Sequence, residues 1–226
     1  MRTASVHPFI STLEERFAAH ANRADAMAMR AYMKDRFSFF GIKTPMRRAL
    51  MKEHLAATGP PSVEDLPAIA RSAFARPQRE THYVAVDLLV KSARKLGPEH
   101  LPLVEKLILT KSWWDTVDAL AVNVAGVILR DHRKETAAWN ARWIDSPEMW
   151  LNRTAILYQL KWKEATDREV LFANIRRHAG HPDFFIRKAI GWALRELAKT
   201  EPRAVRAFVR SGSLAPLSMR EALKNL

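Results

Sequence analysis

The 226-residue chain contains no cysteine. That single absence removes disulfides, thiolate nucleophiles, Cys-ligated zinc and iron–sulfur clusters, and it fits a reducing interior. No purely apolar run approaches the roughly 18 residues needed to cross a bilayer. The opening Met1-Arg-Thr-Ala-Ser-Val-His-Pro8 lacks the apolar core of a secretory leader, so a mature, soluble, cytoplasmic protein is expected. There is no Gly-rich phosphate loop, no dinucleotide fingerprint and no His-Glu-x-x-His zinc motif. His178 and His181 have i,i+3 spacing, but Gly180 and Pro182 put them in a loop without adjoining acids, and no metal is expected there.

Acidic residues are also outnumbered, 24 against 37 Lys and Arg, a net charge of +13. The excess is spread along the whole chain, which argues for an extended basic surface rather than a basic tail. The nucleic-acid backbone is the partner such a surface suits best, ahead of a membrane surface or an acidic protein. Hydrophobic residues make up 48 % of the chain, enough for a sizeable core.

Helical periodicity without strand alternation runs from end to end, broken at Gly41, Gly59-Pro60-Pro61, Gly97-Pro98, Ser146-Pro147, Gly180-His181-Pro182 and Ser211-Gly212. Start signals accompany the breaks. Ser62-x-x-Asp65, Thr166-x-x-Glu169 and Ser218-x-x-Glu221 read as capping boxes, and Thr44-Pro45 and Ser146-Pro147 as an N-cap followed by proline. No long linker marks a boundary, so residues 1–226 are expected to form one all-α domain of about a dozen helices. A weak repeat overlays the segment beginning at Trp150 on that beginning at Phe184, and Asp118 on Arg153. Stacked helix pairs, an α-solenoid of HEAT-like type with a concave basic surface, would give this pattern.

The stretch Lys111-Ser-Trp-Trp-Asp-Thr-Val-Asp118 concentrates chemistry-bearing residues. Ser112 and Asp115 read as a capping box that starts a helix running through Leu129, which commits Asp115 to the helix end. Trp113 then points to the core with Val117 and Leu120. Trp114 shares a face with Asp118, four residues on. In the repeat register Asp118, Arg153 and Arg187 occupy equivalent rungs, and Trp192 and Arg195 lie further along the last of those helices. Trp114, Asp118, Arg153, Trp192 and Arg195 are thus expected to converge. A plainer reading makes Asp118 and Arg153 an interhelical salt bridge, and the arginines solvated or paired residues. Trp113, Trp139, Trp143 and Trp162 read as core.

These residues carry a family resemblance. His7-Pro-Phe9, Tyr32-Met-Lys34, Phe40-Gly-Ile-Lys-Thr-Pro45, the Lys111–Asp118 stretch, Trp150-Leu-Asn-Arg153, Ala189-Ile-Gly-Trp192 and Leu214-Ala-Pro-Leu-Ser218 resemble the DNA alkylation-repair glycosylases of the AlkD type. The resemblance covers nearly the whole chain. It implies a curved stack of HEAT-like repeats, with Trp114, Asp118 and Trp192 at the active site and Arg153 beside them on the DNA. It further implies that Tyr32, Thr44 and Arg48 contact the duplex backbone. Lys43 stands where the family pattern carries Gln, a difference that either adds a phosphate contact or leaves that contact unmatched. Arg187 and Arg195 are expected DNA contacts from their place on the ladder.

By that resemblance the substrate is duplex DNA bearing cationic alkylpurines, the protein a monomer, and the product an abasic site. No cofactor or metal is implied. A purine alkylated at N3 or N7 already carries positive charge and leaves as a neutral base, so no strong general acid is needed. One carboxylate beside the sugar stabilises the oxocarbenium ion and orients water. Indole faces attract cations, which suits Trp114 and Trp192 to the charged lesion. The resemblance implies excision without flipping the base. A non-catalytic HEAT-repeat protein holding branched or damaged DNA is the alternative.

Overall fold

The computed structural model describes residues 6–212 and 214–224; the reading of the first residues as lacking a leader therefore lies, at 1–5, outside the described residues. The described chain is helical throughout. No strand occurs among the described residues, and an isolated parallel bridge joins Ser38 to Gln78. No helix among them is long and apolar enough to cross a membrane. The chain divides into two compact units, Met1–Lys95 and Leu96–Leu226.

The first unit holds α1 (Pro8–Ala19), α2 (Arg23–Tyr32), α3 (Thr44–Thr58), α4 (Leu66–Ala75) and α5 (Arg79–Ser92). Leu66, Ile69, Ala70, Ala73 and Phe74 are buried along one face of α4, at the i, i+3, i+4, i+7 spacing that makes a helix amphipathic. The long α2–α3 connection is held by a buried acid. Glu80 on α5 accepts the backbone N–H groups of Phe40, Gly41 and Ile42 at 3.1, 2.9 and 3.1 Å. Gly41 has φ +88°, and a Cβ there would lie 2.0 Å from the Asn22 carbonyl oxygen, so only glycine fits. Next to Glu80, the buried Arg79 guanidinium lies 3.8 Å from the centre of the Phe37 ring.

The second unit holds α6 (Leu101–Ile108), α7 (Trp114–Leu120), α8 (Gly126–Asp131), α9 (Arg133–Ile144), α10 (Met149–Leu157), α11 (Arg168–His178), α12 (Phe184–Leu197), α13 (Pro202–Ser211) and α14 (Pro216–Ala222). Helix α10 is its centre, with every residue from Leu151 to Leu160 buried. Glu105 on α6 accepts from Arg142 and from the indole N–H of Trp143 at 2.9 Å, which satisfies a buried donor. Asn152 donates to the carbonyls of Trp143, Ile144 and Ser146, closing the α9 C-terminus. These stacked, short-looped helices match the all-α, HEAT-like expectation.

Between α7 and α8 the helix does not stop. It passes through a π turn, Ala121–Ala125, in which the Gly126 N–H reaches back five residues to the Ala121 carbonyl. Gly126 then lies against α10, where a Cβ would come within 2.1 Å of the Tyr158 carbonyl oxygen.

Several helix starts differ from expectation. Helix α3 is entered from Lys43 rather than Thr44, and α10 from Glu148, two residues past Ser146. Asp167, not Thr166, caps α11 by accepting from Val170 N. Ser62 accepts from Asp65 N in a turn just before α4. Ser218 sits inside α14 and donates to the Arg187 carbonyl. At α11 the neighbouring acid Asp167 takes the cap role, and at Ser218 a tertiary acceptor takes the hydroxyl. Trp113, Trp143 and Trp162 are buried as expected, whereas Trp139 is half-exposed and tilts against Trp143 at 5.3 Å. Its neighbours Ala137, Ala138, Ala141 and Arg142 are all exposed, so α9 buries too little of that face to cover the ring.

Candidate functional site

The Ser112–Asp115 capping box does not form. Lys111 adopts φ +49°, turning the chain so that the Ser112 hydroxyl donates back to the Ile108 carbonyl at 2.6 Å. The last turn of α6 leaves such carbonyls without helical partners, and the serine satisfies one of them. Trp113 takes the extended N-cap position of α7 without a side-chain cap. Asp115 remains in the first turn, where its charge suits the helix dipole.

Trp113 is buried and meets Trp150 of α10 and Phe185 of α12 edge-on, at centroid distances of 5.9 and 4.9 Å. Trp150 and Phe185 lie 5.2 Å apart. This aromatic block fixes α7, α10 and α12 at one point, and the candidate acid is anchored to the same three helices. Arg153 Nε donates to Asp118 Oδ1 and Nη2 to Oδ2, both at 2.7 Å, while Nη1 donates to the Phe185 carbonyl. The arginine side chain is 5 % exposed and the aspartate 16 %.

In this geometry Arg153 is engaged within the protein. Its guanidinium is spent on a carboxylate and a main-chain carbonyl rather than turned outward to a phosphate. The salt bridge of the plainer reading is present. It uses one lone pair on each Asp118 oxygen and leaves acceptor capacity on both. Burial pushes the Asp118 carboxyl above its ordinary value, the two hydrogen bonds and charge of Arg153 oppose this, and repulsion from Asp115 adds to it. Trp114, half-exposed, precedes Asp118 by one helical turn.

On α12, Trp192 is half-exposed and flanked at i−4 and i+3 by Lys188 and Arg195. Both cations are gripped by Glu221 of α14, at 3.1 and 2.9 Å, and Lys188 first, then Arg195, hold the Glu221 carboxyl below the usual range against its desolvation. Helix α14 comes this close because Gly191 has no side chain; a Cβ there would lie 2.4 Å from Glu221 Cβ. Glu221 was read from sequence only as a capping acid and Lys188 was not singled out, although Lys188 stands four residues before Trp192, the spacing that relates Trp114 to Asp118. Arg187, expected on the charge ladder, donates from Nε to the His181 carbonyl at 2.9 Å, so the third rung folds onto its own loop.

In the first unit the expected DNA contacts sit around the ends of α2 and α3. Tyr32 is 69 % exposed. Lys43 pairs with Asp25 of α2 at 2.8 Å, and Thr44 and Arg48, one turn apart on α3, are exposed. The intervening Arg47 is buried against Asp87 at 2.5 Å. No cluster of His, Asp and Glu among the described residues has the makings of a metal site. The His178–His181 pair serves the backbone: His178 Nε2 lies 2.9 Å from the Ile144 carbonyl oxygen, and His181 Nδ1 accepts from Asp183 N.

Comparison with known proteins covers most of the chain. A solved structure of a predicted DNA alkylation repair enzyme from Enterococcus faecalis superposes with a TM-score of 0.85 at 33 % identity, covering 91 % of this chain and 96 % of that one. No curated protein sequence matches. The family described as DNA alkylation repair enzyme matches residues 13–226, and the chain belongs to that family.

Proposed function

We propose that the chain is a DNA glycosylase of the AlkD type, acting as one functional domain and as a monomer on duplex DNA. It releases cationic alkylpurines such as 3-methyladenine and 7-methylguanine. The observation that carries this reading is the Asp118 carboxylate, fixed at both oxygens by Arg153 and one helical turn from a half-exposed tryptophan. As the bond between C1′ and the purine nitrogen breaks, its electron pair leaves with the base, which becomes neutral. Positive charge moves to the sugar, and the anion of Asp118 stabilises it. Water then adds at C1′, and its proton passes to Asp118 or to solvent. Arg153 is a positioning residue that holds the carboxylate's orientation and keeps it ionised.

Trp114 and Trp192 face the lesion nucleotide, and their ring faces favour its charged form. Because a cationic purine is already a good leaving group, the base needs no acid pocket, and the resemblance to the AlkD type supports its departure without being flipped from the stack. Tyr32, Lys43, Thr44, Arg48, Arg187 and Arg195 steady the phosphates. Such a protein works at the nucleoid, without cofactor or metal.

A second reading has an observation of its own. Asp118 and Arg153 satisfy each other, as they would in a non-catalytic binder of damaged or branched DNA. Base release from methylated duplex DNA separates the two. Wild type should release alkylpurines, and Asp118→Asn should lower single-turnover release by ~100-fold or more, the scale on which one charge-stabilising group contributes. Equal release by both proteins removes the role of Asp118, and no release by either favours the binder.

A further inference from the structure

Helix α13 carries a basic face that the glycosylase reading does not use. Val205, Phe208 and Val209 are buried, with Phe208 stacked on Phe172 of α11 at 4.0 Å. At about 100° per residue, Arg203, Arg206 and Arg210 lie roughly opposite that buried stripe. All three are exposed. Arg176 of α11 joins them, exposed, with its guanidinium 5.1 Å from the Phe208 ring centre. None of the four has an acidic partner among the described residues, whereas Lys188, Arg195 and Lys199 on α12 and its C-terminal turn each have one. The nearby acid Glu201 is taken by Arg168 at 2.5 Å.

The spacing suits a strand of nucleic acid. Positions i, i+3 and i+7 span about 10 Å along a helix, and phosphates on one strand of a duplex recur about every 3.4 Å of axis. Three guanidiniums thus cover about three phosphates. Helix α13 packs on α12 and α11 through its apolar side, so its arginines are directed away from the helix that bears Trp192.

The geometry points to α13 as a second nucleic-acid contact, in which Arg203, Arg206 and Arg210, with Arg176, hold the phosphate backbone of a duplex other than the one at Asp118. The surface reads charge rather than sequence, since it offers no group shaped for a base edge. Its use is to keep the protein on DNA while the Asp118 face is free or moving between sites.

The test is a bridging assay. An unmodified duplex is immobilised, the full chain is added, and capture of a second, labelled duplex is measured against salt. Wild type should capture it, with log capture falling against log salt at a slope of about 3 for three neutralised phosphates. The triple variant R203Q/R206Q/R210Q should lose capture at least tenfold while its binding to the immobilised duplex and its base release from methylated DNA stay within twofold. Capture by the triple variant equal to wild type overturns the proposal, as does absence of capture by wild type. So does a wild type that fails to bridge but binds phosphatidylglycerol vesicles through these arginines, which would make the surface a membrane contact. Bridging that persists without any base release leaves this proposal intact and removes only the glycosylase reading.

Discussion

Arg153 reaches across 35 positions of sequence to hold both oxygens of Asp118, at 2.7 Å each. The clasp sets a pH dependence. Burial raises the Asp118 carboxyl and Arg153 lowers it, so the anion is lost as pH falls through a value above the ordinary 3.8. Replacing Arg153 by methionine keeps the bulk and removes the lowering influence. The acid limb of the kcat/KM profile should move to higher pH in Arg153→Met, because the remaining influences on the carboxyl both raise it. A limb that stays in place or moves down would show that another group titrates.

Adjacent tryptophans should separate stability from activity. Trp113 sits in the aromatic block with Trp150 and Phe185, and its truncation to alanine should cost about 3–5 kcal/mol in denaturant melts. Trp114 is half-exposed, and Trp114→Ala should cost under about 1 kcal/mol while slowing base release. A large stability loss at Trp114 with unchanged release would reverse the assignment of the two faces.

Glu80 ties three backbone N–H groups of the α2–α3 connection, the segment that leads into Lys43 and Thr44. Glu80→Ala leaves those donors without their acceptor and should destabilise the protein by about 3 kcal/mol, the scale for buried charge-assisted bonds. Hydrogen exchange should rise at Phe40, Gly41 and Ile42 first. Unchanged exchange at these amides would mean that other contacts hold the loop.

At Gly126 two effects oppose each other. Alanine is favoured over glycine in a helix by about 1 kcal/mol, but its methyl would fall 2.1 Å from the Tyr158 carbonyl oxygen. A backbone atom of a buried helix cannot move aside cheaply, so Gly126→Ala should lower stability by about 2 kcal/mol or more. A rise in melting temperature would place the two helices further apart than described.

No amine has been assigned to the Asp118 site, and the proposed chemistry ends at the abasic product. Borohydride should therefore trap no covalent complex between the protein and DNA. A trapped adduct that disappears in Lys161→Ala would assign a Schiff-base step to the lysine that donates to Asn123 at 2.7 Å.

Much of the site was legible because helical spacing is local. The i,i+4 relation of Trp114 to Asp118 and the burial of Trp113 with Val117 and Leu120 follow from a 3.6-residue period. The repeat register also brought Asp118 opposite Arg153, since equivalent positions on stacked helices meet. What the spacing did not reveal was the direction of each polar atom. Arg153 turned inward and Arg187 turned to the His181 carbonyl, choices made by whichever acceptor lay nearest in three dimensions. The hydroxyl of Ser112 likewise found Ile108 instead of its own helix. Glu221, which restrains Arg195, lies 26 residues from it, and the capping-box spacing that marked it gave no sign of that pairing.

The π turn at Ala121–Ala125 acts on the site as a splice in a shaft. One additional residue in a turn offsets everything before it by about 100° from the direction that unbroken winding would give relative to everything after it. Gly126 and Ile128 are fixed in the core, so the splice sets the azimuth of Trp114 and Asp118. Chain length therefore aims the carboxylate as much as residue identity supplies it. Unbroken α winding over the same number of residues would swing the acid away from Arg153 while leaving every side chain in the sequence.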